Sequence, residues 1–282
     1  MIFDNDKNNW KEACKASPNI TQISESLKKR KKYKKFFCPR AIDDEFVFDI
    51  KNDFLNNWYF SRQTFGWYCG LHVDYTTMQV CSNEIKRLNS FLGNIYFVTI
   101  LREPVRRYIS EWNHLKRGGH AWNRSLNFCN KENFLNKCLK RNEKIEEISL
   151  EDFISCEDNI GNNRQTRMLA DYGKDLDCSL FKEEKRRKLL ENAKNILNQL
   201  SFFALNEFQH ESQLLFEKTF KNQFKFKFKR EQSKNETASE LVKNVNRSIY
   251  DRIVKLNDLD LELYEYAKML FFKRLNLYKV NY

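Results

Sequence analysis

An apolar run followed by an amphipathic segment stands near the middle of the chain. Residues 94–101, NIYFVTIL, are continuously apolar and rich in β-branched side chains. This pattern predicts a strand buried on both faces, as in a parallel sheet. In the segment that follows, Glu103 can cap a helix and Pro104 suits its first position. Apolar residues then recur at helical spacing, at Val105, Tyr108, Ile109 and Trp112.

The remaining pattern to the C-terminus alternates in the same way. SFFAL (201–205) predicts a second short buried strand, and FKFKFK (224–229) predicts an edge strand or arm. Ser149 and Asp152 form a capping-box pattern that opens a helix. Strands that alternate with helices predict a single α/β domain. Helices are predicted over 162–172, 182–199, 208–220 and most of 238–278, the last with an apolar stripe of Leu256, Leu259, Leu263, Tyr266 and Leu270.

The first 56 residues are polar and irregular, and contain a basic run for which we favour a solvated loop. The only candidate strand there is FVFDI (46–50). We therefore predict an irregular N-terminal segment over residues 1–56 and one folded domain over residues 57–282.

Composition narrows the class of protein. The 15% aromatic content excludes a mainly disordered chain, and a net charge of +12 favours an anionic partner such as a polysaccharide, a phosphorylated cofactor, a nucleic acid or a membrane surface. No apolar run is long enough for a transmembrane helix. The eight cysteines include no CxxC pair, so no zinc site is indicated. From the residues alone, a lumenal and a cytosolic location are about equally supported.

Candidate chemistry lies at the predicted strand–turn–helix. Arg102 follows the strand and could grip a phosphate bidentately, and free amides at the helix N-terminus would favour an anion. The hydroxyl of Ser110, two helical turns on, could reach the same phosphate. A surface salt bridge of Arg102 is an equally good interpretation of the spacing.

Five blocks in order make the chain resemble one family. TILREPVRRYISEWNHLKRG resembles the 3′-phosphate-binding segment of sulfotransferases that use 3′-phosphoadenylyl sulfate, and heparan sulfate 6-O-sulfotransferases in particular. The resemblance covers roughly residues 57–278. The other four blocks are SRQTFGWYCGLHVDYT, NIGNNRQTRMLADY, FFALNEFQHESQLLFEKTF and LNDLDLELYEYAKMLF.

The resemblance implies a fold related to P-loop kinases, with a central parallel sheet flanked by helices. It implies that Arg102 and Ser110 bind the 3′-phosphate of the donor and that His72 is the catalytic base. A histidine suits that role because its ordinary pKa of about 6.5 lets it accept a proton near neutral pH. For the residues alone, a packed core histidine is the better interpretation of His72.

The resemblance also assigns contacts to the two substrates. The family's contacts to the adenosine end of the donor match Lys229, Arg230, Glu231 and Asn235. This stretch could equally be a solvated basic arm. No metal is implied. The acceptor-sugar contacts match Arg62, Trp67, His114 and, after one inserted residue, Trp122.

One element of the family pattern has no counterpart in the sequence. The family has a first buried strand and a KTGG-type loop that cradles the 5′-phosphosulfate, and residues 1–56 contain neither a KTGG motif nor any glycine. The family's N-terminal membrane anchor also has no counterpart. We therefore expect an incomplete N-terminus and little activity from this chain by itself.

The resemblance implies a Golgi-lumenal, type II membrane glycoprotein, which would touch the membrane only through an anchor that this chain lacks. The predicted reaction is transfer of sulfate to the 6-hydroxyl of glucosamine in heparan sulfate. The alternative is an inactive, truncated relative that only binds heparan sulfate. A nucleic-acid-binding protein is disfavoured because the basic residues are spread along the chain.

Overall fold

The structure is a computed structural model of the 282-residue chain. It describes residues 21–22, 37–39, 45–47, 74–89, 95–117, 147–156, 159–172, 183–220 and 238–280.

Contacts along the chain divide it into two units. The predicted domain boundary between residues 56 and 57 lies outside the described residues. The first unit comprises Met1–Leu71, Met78–Ile95 and Asn222–Glu231, and the second comprises His72–Thr77, Tyr96–Lys221 and Gln232–Tyr282.

The first unit contains a small antiparallel sheet. Its strands are β1 (Thr21–Gln22), β2 (Phe37–Pro39) and β3 (Glu45–Val47), in the order β1-β3-β2. β3 overlaps the candidate strand FVFDI, whereas β1 and β2 lie in the segment for which an irregular structure was predicted. The first helix, α1 (Tyr75–Asn89), begins in the second unit and ends in the first.

The second unit is built around two parallel strands, as expected for an α/β fold. β4 (Val98–Leu101) pairs with β5 (Phe202–Leu205), and the register runs from Val98 opposite Phe202 to Leu101 opposite Leu205. Both strands were predicted from their apolar runs. The helices of this unit after α1 are α2 (Pro104–Lys116), α3 (Leu150–Ser155), α4 (Arg164–Leu169), α5 (Glu183–Gln199), α6 (Gln209–Thr219), α7 (Ala238–Lys243), α8 (Arg247–Leu256) and α9 (Asp258–Leu277).

β5 is buried on both faces, as predicted. The ring of Phe202 lies 5.1 Å from that of Phe216 in α6, and the ring of Phe203 lies 6.2 Å from that of Phe271 in α9. Because consecutive residues of a strand point to opposite faces, α6 and α9 cover opposite faces of β5. All four residues of the strand are buried.

The predicted burial of β4 on both faces is wrong for most of the strand. Val98 is 48% exposed and the preceding Tyr96 is 44% exposed, and only Leu101 at the carboxyl end is buried. A continuous apolar run predicts two-sided burial only where other elements cover both faces. In β4 that coverage is complete only at the end from which Arg102 emerges.

The apolar face of α2 packs into a cluster shared with α3 and α8. Tyr108 and Ile109 are fully buried, and the ring of Tyr108 lies 5.0 Å from that of Phe153 in α3. The indole Nε1 of Trp112 donates to the carbonyl of Ile148 at 3.0 Å. Burying several side chains of this size contributes about 1.5–3 kcal/mol each and fixes the orientation of α2.

Helix boundaries follow local capping. Ser149 caps α3 by accepting from the amide of Asp152 at 3.0 Å, which confirms the capping-box prediction. The helical prediction for 162–172 is correct only over α4. The predicted C-terminal helical region is divided into three helices, α7, α8 and α9, with Asn246 capping α8 by accepting from the amide of Ile249 at 2.8 Å.

Within the described residues, no helix is both long and apolar enough to cross a membrane. Cys81 and Cys156 each take part in a disulfide bond. No group of three or more potential metal ligands occurs among the described residues.

Candidate functional site

The turn between β4 and α2 is capped by its own glutamate. The Glu103 carboxylate accepts from the amides of Val105 and Arg106 at 3.0 and 2.8 Å. The Glu103 carbonyl accepts from the amide of Arg107 at 2.9 Å, and Pro104 has no amide hydrogen. All the amide groups of the first turn are therefore accounted for.

This capping contradicts one expectation from the sequence. Free amides at the start of α2 were expected to favour an anion. The amides of Val105 and Arg106, which have no partner within the helix, instead donate to the Glu103 carboxylate. An anion near this turn must be bound by side chains instead. The helix dipole still favours negative charge here, and the Glu103 carboxylate is one negative charge that it stabilises.

Arg102 supplies such a side chain. It is half-buried at the carboxyl end of β4, and its Nε is buried without a hydrogen-bond partner. Among the described residues its guanidinium makes no ion pair. Burial lowers the pKa of Arg102, opposed by the attraction of Glu207, and Arg106 and Arg107 lower the pKa further by repulsion. An arginine stays charged under these conditions, so the site holds an unpaired cation beside two others.

Ser110 and His114 continue this site along α2. Residues four apart on a helix lie on the same face, which places Arg106, Ser110 and His114 in a row. Arg106 and His114 are exposed and Ser110 is half-buried. This row lies away from the buried face formed by Tyr108 and Ile109. The described part of the predicted site is therefore a polar, basic face that begins at the end of β4.

The other predicted site residues lie outside the described residues, so their assignments remain predictions. They are the candidate base His72, the donor contacts Lys229, Arg230, Glu231 and Asn235, and the acceptor contacts Arg62, Trp67 and Trp122.

The backbone of Arg102 is held by a side chain from α4. The amide of Arg102 donates to Gln165 Oε1 at 2.8 Å, and Gln165 Nε2 donates to the Arg102 carbonyl at 2.9 Å. Gln165 is itself 9% exposed. Its side-chain amide thus bonds the amide and the carbonyl of the residue that directly follows β4, as a neighbouring strand would.

α4 is in turn fixed by a buried carboxylate from α9. Asp260, which is fully buried, accepts from the amides of Gln165 and Thr166 at 3.0 and 2.7 Å and from the Thr166 hydroxyl at 2.8 Å. The Nε of Arg107 lies 3.5 Å from Asp260 Oδ2. Helices α2, α4 and α9 are therefore joined by polar contacts behind the site.

A second carboxylate holds the other half of the turn. Glu207, which follows β5, accepts from the amide of Glu103 at 3.1 Å and from the Tyr264 hydroxyl at 2.6 Å. Burial and the nearby Glu207 carboxylate raise the pKa of Tyr264, which keeps its hydroxyl protonated as a donor. The turn is thus held from β5 and α9 as well as from α4.

A buried charge cluster lies behind α2. Arg107 bonds Glu111 one turn on, and Arg164 pairs with the same carboxylate at 2.9 Å. Arg107 Nη2 also donates to the Gly161 carbonyl at 2.8 Å and to Asn257. Removing any one of these buried charges would leave another without its counter-charge, so disrupting the cluster would be strongly destabilising.

Four residues that hold the turn were not predicted from the sequence: Gln165, Glu207, Asp260 and Tyr264. Each lies in one of the five blocks that resemble the family, and that resemblance was the only signal for them. Spacing along the chain could not reveal the contact between Arg102 and Gln165, because 63 residues separate them.

Comparisons with known proteins agree with the resemblance. The sequence pattern of the sulfotransferase family matches residues 12–267, which is most of the chain. The chain belongs to the sulfotransferase family.

Curated relatives within this sulfotransferase family define the resemblance more closely. Heparan-sulfate 6-O-sulfotransferase 2 of Gallus gallus is 40% identical over 230 residues, which cover 77% of this chain and 55% of the relative. Heparan-sulfate 6-O-sulfotransferase 3 of Homo sapiens is 40% identical over 231 residues, covering 77% and 48%. Heparan-sulfate 6-O-sulfotransferase 1 of Homo sapiens is 40% identical over 230 residues, covering 77% and 54%. The chain thus spans about half the length of the curated relatives it matches.

Proposed function

We propose that this sulfotransferase-family chain transfers sulfate from 3′-phosphoadenylyl sulfate to the 6-hydroxyl of glucosamine in heparan sulfate. The observation behind the proposal is the unpaired guanidinium of Arg102, held at the end of β4 at the start of a basic helix face. The identity to heparan-sulfate 6-O-sulfotransferases supports the choice of acceptor.

The residues at the end of β4 fit a phosphorylated donor. Arg102 has an unsatisfied buried Nε, and Ser110 offers a hydroxyl on the same side of α2 as Arg106. Guanidinium and hydroxyl groups are strong phosphate ligands. In the proposed site, Arg102 and Ser110 hold the 3′-phosphate of the donor, while His114, Arg62, Trp67 and Trp122 hold the sugar chain. Lys229, Arg230, Glu231 and Asn235 contact the adenosine end.

His72 is the proposed general base. The bond that forms joins the 6-oxygen of the sugar to sulfur, and the bond that breaks joins sulfur to the 5′-phosphate oxygen of the donor. The sugar hydroxyl loses its proton to His72, so the charges balance. In-line placement of the hydroxyl and the sulfur contributes most of the acceleration in such a transfer.

The proposed location is the Golgi lumen. Cys81 and Cys156 each take part in a disulfide bond, and disulfides persist in oxidising compartments. Heparan sulfate and a sulfate donor would both have to be present in the same compartment.

The test uses a protein that carries a KTGG-type loop in addition to this chain, and it measures sulfate transfer from radiolabelled donor to heparan sulfate, followed by disaccharide analysis of the product. We expect label at the 6-position of glucosamine. His72→Ala should abolish transfer while leaving nucleotide affinity within about twofold, because the base contacts only the acceptor proton. Equal loss of transfer and nucleotide binding would contradict the assignment of the base. Retention on heparin with no transfer by that protein would favour a binding protein instead.

A further inference from the structure

The backbone of Arg102 is held on both sides of its Cα by one side chain. Its amide and carbonyl both bond the side-chain amide of Gln165, at 2.8 and 2.9 Å. A side-chain amide that satisfies both groups fixes the rotation of the peptide on either side of the Arg102 Cα. The direction in which the Arg102 side chain leaves the strand is fixed with it.

Gln165 can act in this way because it is held itself. Its own amide donates to Asp260 at 3.0 Å, and the next residue, Thr166, gives Asp260 two further hydrogen bonds. Asp260 and Gln165 are both buried. The chain of contacts therefore runs from α9 through α4 to the amide and carbonyl of Arg102, without passing through solvent.

The polar groups next to Arg102 in the turn are likewise occupied. The Glu103 amide donates to Glu207, and the Glu103 carboxylate and carbonyl cap α2. In this turn, as the described residues show it, the Nε of Arg102 is buried without a hydrogen-bond partner. A turn arranged in this way fixes the direction in which the side chain of one cation leaves the backbone.

Direction matters for a guanidinium that binds phosphate. A bidentate pair requires two parallel hydrogen bonds. A rotation of about 10° at the Arg102 Cα would move a guanidinium roughly 6 Å away by roughly 1 Å, which exceeds the about 0.5 Å that productive geometry tolerates. Loss of the Gln165 contacts would therefore weaken phosphate binding without removing any phosphate ligand.

We propose that Gln165 is a positioning residue that sets the recognition of the donor's 3′-phosphate by orienting Arg102. This proposal rests on the proposed function, since it takes the 3′-phosphate as the ligand of Arg102. It assigns Gln165 no contact with the donor.

The experiment compares two nucleotides on the full chain by isothermal titration calorimetry. The probes are 3′-phosphoadenosine 5′-phosphate and adenosine 5′-phosphate, which differ only in the 3′-phosphate. Gln165→Met removes both hydrogen bonds with little change in volume. The matched control is Gln213→Met on α6, where the glutamine Nε2 bonds only Glu217 at 2.6 Å. Gln165→Glu is the second variant, which keeps an acceptor for the Arg102 amide but has no donor for its carbonyl.

In the unmodified chain we expect tighter binding of the nucleotide that has the 3′-phosphate. Gln165→Met should weaken binding of that nucleotide about tenfold, as expected for one displaced charge-assisted hydrogen bond, and leave adenosine 5′-phosphate within about twofold. Gln165→Glu should shift the preference in the same direction, and it decides the matter where the methionine variant does not fold. Gln213→Met should leave both affinities unchanged.

The outcomes separate the two proposals. If the unmodified chain prefers the 3′-phosphorylated nucleotide and both Gln165 variants keep the full preference, the positioning role is overturned and the proposed function stands. Equal weakening of both nucleotides would also overturn the positioning role, because it would indicate a structural effect alone. If the unmodified chain shows no preference for the 3′-phosphate, the donor assignment fails, and the role of Gln165 fails with it.

Discussion

Replacement of Asp260 by alanine should lower the free energy of unfolding by more than replacement of an exposed carboxylate among the described residues. The Asp260 side chain is fully buried and accepts three hydrogen bonds, at 3.0, 2.7 and 2.8 Å. Its carboxylate also lies 3.5 Å from the Nε of Arg107. The variant would leave two buried amides, a hydroxyl and a buried guanidinium without this acceptor.

The magnitude follows from these contacts. A hydrogen bond to a charged group contributes about 1.5–3 kcal/mol, so three such bonds set an upper limit of roughly 4.5–9 kcal/mol. Relaxation and entry of water reduce the loss, and removing one partner of a buried pair typically costs about 3–5 kcal/mol. We therefore expect Asp260→Ala to lower the free energy of unfolding by about 4 kcal/mol, a large part of the stability of a typical domain.

The assay is urea unfolding monitored by far-ultraviolet circular dichroism. The dependence of the free energy of unfolding on urea concentration should be the same for all variants. The matched control is Asp251→Ala on α8, whose carboxylate pairs with Arg247 on the surface, where the two side chains are 49% and 84% exposed. Such a pair contributes about 0–1 kcal/mol. Asp260→Asn should fall between the two, since one oxygen can still accept from Thr166 while its NH₂ group faces the Gln165 amide. A loss for Asp260→Ala within about 1 kcal/mol of the control would refute the reasoning.

Two further predictions concern the cap of α2 and the ion pairs of α5. Glu103→Ala removes the acceptor of two first-turn amides and should lower the free energy of unfolding by about 1 kcal/mol. An unchanged urea concentration at the unfolding midpoint would contradict the capping role of Glu103. Hydrogen bonding from Lys194 lowers the pKa of Glu262, opposed by desolvation and assisted by Arg187, so the folded-state pKa lies below the unfolded value of about 4.3. The resulting stability is present above that pH and is lost as the pH falls through the folded pKa. Glu262→Gln should therefore cost less than about 1 kcal/mol at neutral pH, because its side chain is 43% exposed, and the cost should disappear under acid conditions. Thermal unfolding of the two proteins at neutral and at acid pH measures this difference in stability. An equal loss of stability under the two conditions would argue against the ion pairs.

The elements with a strong local pattern were predictable from sequence. β5, the capped start of α2 and the amphipathic helix α5 follow from an apolar run, from Glu103 with Pro104, and from helical spacing. In each case the determining interaction lies within a few residues along the chain. The location of Arg102 directly after β4 follows from the same local signals.

Burial of polar side chains was not predictable in the same way. Asp260 lies in α9 between Asp258 and Glu262, whose side chains are both exposed, so its neighbours along the chain favour a solvated position. It is nevertheless fully buried, because its hydrogen-bond donors come from α4, more than 90 residues earlier. Only the three-dimensional contact of α4 with α9 makes a carboxylate favourable at this position.

The capped turn also explains why the contacts behind the site are so numerous. A phosphate-binding site built from amides at a helix N-terminus is oriented by the helix itself. At α2 the Glu103 carboxylate and carbonyl occupy the first-turn amides, so binding depends on the side chain of Arg102. A long side chain has several rotatable bonds, and ordering it costs entropy at the moment of binding. Contacts from Gln165 and Glu207 fix the adjoining peptides, so backbone entropy need not be lost in addition when the side chain binds, which is a physical reason for placing buried amide and carboxylate groups behind this turn.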